Sequence, residues 1–186
     1  MFNYSTDKSI PIVVVYTLKD WRKWLKKNHL REKKVGMINY KKHTGKPSIS
    51  HQEAMHEAIC FGWIDTTLKR LDEDRFVRYF VRRSDNANWS INTLRYGGEL
   101  FAAGRMSKQG ILRYQQGLKK KPHDYGIPDN PNMPSKLKKE LVRKKLLEKF
   151  QKIAPSTKKM FYRSILRVKT EETRDKRIRE IIKNIR

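Results

Sequence analysis

Residues 63–83 read as two strands joined by a short acidic turn: Trp63 to Leu71, then Asp72-Glu73-Asp74, then Arg75 to Arg83. The second strand is apolar on both faces, with Phe76 and Phe80 on one and Val77, Tyr79 and Val81 on the other. Side chains alternate across a strand, so such a segment needs cover above and below. The pattern predicts a central strand in a sheet with helices packed on it.

Other segments supply the neighbours. Ile12 to Tyr16 is β-branched and aromatic, and residues 35–42 form a second strand candidate. Thr17 reads as the cap of a helix whose apolar face is Leu18, Trp21, Trp24 and Leu25. Ser50 and Glu53 have the spacing of a capping box, followed by Ala54, Met55, Ala58 and Ile59 on one face. Ser90 and Ser107 open two further helices. Residues 122–135 then hold Pro122, Pro128, Pro131 and Pro134, which make either a linker or an ordered extended segment. Beyond them three helices are expected. The first covers about 136–153, the second follows Pro155, and the third carries Ile178, Ile181, Ile182 and Ile185 at the spacing of one buried stripe. The expected fold is α+β: a small antiparallel sheet packed with helices, followed by a C-terminal three-helix segment. The expected parts are an α+β domain over 1–121, a Pro-rich connection over 122–135 and a basic helical region over 136–186.

Lys and Arg number 44 and Asp and Glu 19, a net charge of +25. Residues 111–186 hold 23 of the basic and eight of the acidic residues, so the excess is steepest there. Such a field draws nucleic acid or another polyanion, and acidic protein surfaces, without specifying which. One cysteine rules out an internal disulfide, and no segment approaches the roughly 18 apolar residues of a membrane span. A cytoplasmic protein is expected.

The wording of the chain then resembles a known family. Gly45-Lys46, Ser48, Ser50, Glu53-Ala54, Glu57-Ala58 and the run Cys60-Phe61-Gly62-Trp63-Ile64-Asp65 look like the central signature of the bacteriocin-protection family, YdeI or OmpD-associated. Leu71-Asp72, Arg82-Arg83, Trp89-Ser90 and Arg95 continue it. Ala154-Pro155-Ser156-Thr157-Lys158 and Glu171-Glu172-Thr173-Arg174 resemble its C-terminal region. Val81 stands where the family pattern has proline, and His51 where an aromatic is usual. The resemblance implies a role in protection against bacteriocins or antimicrobial peptides. It implies no reaction, and with no catalytic motif, cofactor or metal set in the residues, a non-enzymatic protein is expected.

Two groups of residues are candidates for function. Trp63 and Asp65 share a strand face, and Arg82, Arg83, Trp89 and Arg95 follow on the neighbouring strand and helix. One reading pairs Asp65 with Arg82 or Arg95 as a structural ion pair. The other lines a cleft for an anionic or peptide ligand with arginine forks. The second group is Lys136, Lys138, Lys139, Arg143, Lys144, Lys145 and Lys149, either a phosphate-tracking face or a solvated one. Cys60 reads as a buried thiol. His51 and His56 are five apart, the wrong spacing for chelation on one helix face, and read as surface histidines.

Overall fold

The computed structural model describes residues 9–185. The chain divides into two compact units, Met1–Pro122 and His123–Arg186.

In the first unit the described residues form a four-stranded sheet of order β1-β2-β4-β3. Its strands are β1 (Ile12–Val14), β2 (Lys34–Tyr40), β3 (Trp63–Arg70) and β4 (Arg75–Arg82). The helices are α1 (Leu18–Asn28), α2 (His51–Cys60), α3 (Ile91–Ala102) and α4 (Lys108–Leu118). β4 lies between β2 and β3, as its two apolar faces predict. The sheet is not purely antiparallel. β1 runs parallel to β2, with Val13 beside Met37. A hairpin reverses the chain, whereas the helical connection α1 carries it back to start β2 in the direction of β1.

Local chemistry fixes the joints. The Asp72 carboxylate accepts hydrogen bonds from the Asp74 and Arg75 amides at 2.9 and 2.6 Å and closes the β3–β4 turn. Ser50 and Glu53 form the capping box that opens α2, and Ser90 and Thr93 form an equivalent one at α3. The core packs α1 and α2 on one sheet face. Trp21 lies 5.0 Å from Phe80 and stacks on Trp24, whose edge meets Trp63. Two buried indole N–H groups find carbonyls: Trp21 donates to Ala54 and Trp63 to His29. Glu57, 1% exposed, is bound by Arg22 at 2.5 Å and by Arg105. A buried carboxylate with two guanidinium partners ties α1, α2 and the α3–α4 connection together. α4 comes so close to the end of α2 that a Cβ at Gly110 would collide with the Cys60 carbonyl oxygen.

In the second unit the described residues form α5 (Ser135–Arg143), α6 (Leu147–Gln151), α7 (Pro155–Leu166) and α8 (Glu171–Ile185). Leu137, Leu141, Phe150, Ile165 and the stripe Ile178, Ile181, Ile182 and Ile185 make its core. In place of the single helix expected over 136–153 there are two, α5 and α6. Lys145 takes a left-handed conformation at φ 57°, and its amide and that of Leu146 turn back to the carbonyls of Val142 and Leu141. That is the hydrogen-bond pattern that ends a helix, with lysine where glycine is usual. Phase explains the break. At 100° per residue, Phe150 on a straight helix would point half a turn away from Leu141. The break lets Leu137, Leu141 and Phe150 enter one core.

The Pro-rich stretch is ordered from His123 onward and belongs to this unit. Arg163 of α7 donates to the buried Asp124 carboxylate at 3.2 Å and to the Pro128 carbonyl at 2.9 Å, and Met133 packs on the core.

Candidate polyanion-binding groove

The first candidate group is only partly brought together. Trp63 stands opposite Arg82 in the β3–β4 register, so the Trp-Ile-Asp strand does lie against the twin-arginine strand. Trp63 itself is fully buried in the core and cannot line a cleft. Asp65 pairs with neither Arg82 nor Arg95. Its carboxylate accepts from His51 Nε2 at 2.9 Å and lies 3.5 Å from Arg78. Arg78 stands nearly across from Asp65 on the same sheet face, while Arg82 reaches outward to donate to the Leu30 carbonyl at 2.6 Å. Arg95 is taken up within α3, by Glu99 at 2.6 Å and by the Tyr96 ring.

Arg83 and Trp89 do meet. The Arg83 guanidinium lies 3.7 Å from the centre of the Trp89 ring and donates to the Asn88 carbonyl. Burial pushes the Arg83 pKa down to about 10, against the pull of the Asp65 charge, so it stays cationic at neutral pH. Trp89 in turn is pressed on α4, where a Cβ at Gly117 would sit 2.6 Å from its ring. The pair pins the loop after β4 between β4 and α4, a structural task. Cys60 is a buried thiol whose pKa is raised, first by burial and then by the Glu57 charge. That is the reverse of an activated nucleophile. His56 is half-buried rather than a surface residue, its ring 4.6 Å from that of Tyr96 and its Nε2 without a hydrogen-bond partner.

The second group is sorted by its ion pairs. Lys136 is engaged by Glu171 at 3.0 Å and Asp175 at 2.5 Å. Arg143 is engaged by Glu140 at 2.6 Å. The Arg143 guanidinium, with Lys144 beside it, holds the Glu140 carboxyl below the usual carboxylate range. Lys138, Lys139, Lys145 and Lys149 are exposed and line neither of the two cavities between α5 and α8. Lys144 differs: it lines two adjoining cavities between α5 and α8. One, of about 290 Å³, is bounded by Lys136, Glu140, Arg143, Lys144, Asp175 and Arg179 over Ile178. The other, of about 300 Å³, is bounded by Lys144, Arg179 and Lys183 over Ile182. Arg179 and Lys183 are not among the sequence candidates. Their signal is positional: each directly follows an isoleucine of the buried stripe, at the edge of the packed face.

The chain thus has two parts, a mixed-sheet α+β unit and a basic helical unit carrying a cation-lined groove. Residues 13–113 match the model of a domain of unknown function (DUF8412), and the chain belongs to that family. Residues 130–186 match the family described as bacteriocin-protection, YdeI or OmpD-associated. That second match lies within the helical unit and supports the resemblance drawn from the sequence, at its C-terminal end. The Cys-Phe-Gly-Trp-Ile-Asp run falls inside the first match instead. No curated protein and no solved structure matches the chain. Among the described residues no helix is long and apolar enough to cross a membrane.

Proposed function

We propose that this is a non-enzymatic protein of the YdeI/OmpD-associated type that works in the cytoplasm and contributes to protection against bacteriocins or antimicrobial peptides. The observation that carries the reading is the match of residues 130–186, which falls within the second compact unit. Charge narrows the mechanism. A chain of net charge +25 repels a cationic peptide and so is a poor sponge for one. It is suited instead to compete with such peptides for the polyanions they seek. Deletion of the gene, followed by survival curves against a cationic antimicrobial peptide, tests the reading. The deletion strain should be several-fold more sensitive, and the full chain supplied in trans should restore resistance. Equal sensitivity of the two strains refutes it. A sequence-tolerant nucleic-acid-binding role is the second reading, and the α5–α8 groove favours it.

A further inference from the structure

We propose that the α5–α8 groove is a phosphodiester site, and that its occupant is the backbone of a nucleic acid bound without regard to sequence. The proposal deepens the polyanion part of the functional reading by naming a site and a ligand class.

The first observation is a sorting of charge along the groove. At one end Lys136 is held by Glu171 and Asp175, and Arg143 by Glu140, so cations and carboxylates cancel. At the other end stand Lys144, Arg179 and Lys183, none with a carboxylate at ion-pairing distance among the described residues. Three cations, one from the cap of α5 and two from α8, therefore converge on one recess, and their mutual repulsion is left for a ligand to relieve. Such an arrangement costs stability in the unliganded chain unless the side chains splay into water, and an anion reverses the sign.

The second observation is repetition. The two cavities adjoin and share Lys144 and Arg179 as a common wall. Arg179 and Lys183 are one helical turn apart, about 6 Å along the axis of α8. A single small anion would use one recess. A polymer of regularly spaced charges can place successive phosphates along the uncompensated end, one against Lys183 and the next at the shared wall of Lys144 and Arg179, where Arg179 offers its fork.

The third observation separates nucleic acid from a lipid surface. The apolar residues at the groove, Ile178 and Ile182, are buried floor, 2% and 3% exposed. A membrane-binding face presents apolar side chains outward beside its cations so that they enter the lipid. Here the apolar surface is recessed and the cations form the rim, which suits a backbone laid along the trough.

The test uses the full chain and a labelled mixed-sequence 20-nucleotide DNA, single-stranded and as a duplex, with anisotropy read across a salt series. The groove variant is Lys144→Gln/Arg179→Gln/Lys183→Gln. The control, of equal charge loss, is Lys138→Gln/Lys152→Gln/Lys169→Gln, three exposed lysines outside the groove. Each phosphate that a cation no longer neutralises lowers the salt slope by about one. The groove variant should therefore lower the slope by about two to three and weaken binding at least about 10-fold near 0.1 M salt. The control should change affinity by less than about 3-fold. Equal losses in the two variants overturn the groove while leaving the peptide-survival reading untouched. Vesicles containing anionic phosphatidylglycerol form a further arm. Should the groove variant lose vesicle binding and keep DNA binding, the occupant is a membrane and the proposal fails. Full binding by the charge-retaining Lys144→Arg/Lys183→Arg variant, which keeps the Arg179 fork, supports it.

Discussion

Replacing Lys145 by glycine should stabilise the second unit, an outcome opposite to that of most glycine substitutions in helical regions. Lys145 sits at φ 57° in the turn that separates α5 from α6. An L-residue in the left-handed region carries a cost of roughly 1–2 kcal/mol, which glycine does not share. Glycine in turn loses more backbone entropy on folding, roughly 0.5–1 kcal/mol. The difference is a gain of about 0.5–1 kcal/mol, or roughly 3–6 °C in melting temperature for a unit of this size. Lys145→Ala is the matched control. It removes the same charge and the same exposed side chain and keeps the strain, so it should be close to neutral. Far-UV circular dichroism reads the helices of both units, so the second unit's transition is the part of that signal that tryptophan fluorescence does not follow. All four tryptophans (Trp21, Trp24, Trp63 and Trp89) lie in the first unit, so their fluorescence follows that unit separately. A glycine variant no more stable than the alanine variant would refute the strained-turn account.

Two further outcomes follow from the first unit. Asp65→Ala removes the partner of His51 and leaves Arg78, 15% exposed, without its carboxylate. It should cost about 1–2 kcal/mol in urea denaturation, and a change below about 0.3 kcal/mol would show the pair to be idle. His56 has its pKa lowered, first by burial and then by the Arg105 charge. Its folded value lies below the unfolded one near 6.5, so the unfolded chain takes up the proton first. The stability His56 confers is therefore intact above about pH 6.5 and drains away as pH falls through that value and then the lower folded one. Denaturation midpoints from pH 7.5 to 5 should fall more steeply for the wild type than for His56→Gln, and parallel curves would contradict this.

The sequence by itself determined whatever depends on neighbours along the chain. The capping box at Ser50, the Asp72 turn, the central place of β4 and the buried isoleucine stripe of α8 all follow from spacings of two to seven residues, where periodicity and capping chemistry act directly. Only the tertiary structure decided which distant partners those elements meet. Asp65 chose His51 and Arg78 over Arg82 and Arg95, since hairpin register and the seat of α2 set the distances. β1 runs parallel to β2 because of how α1 crosses, and α5 ends at a lysine because Phe150 has to reach the core. The groove is the clearest case. Lys144 caps the end of α5 and Arg179 lies on α8, and nothing local to either residue records the other. Their meeting depends on burial of the apolar stripes of α5 and α8, which brings the charged edges of the two helices side by side.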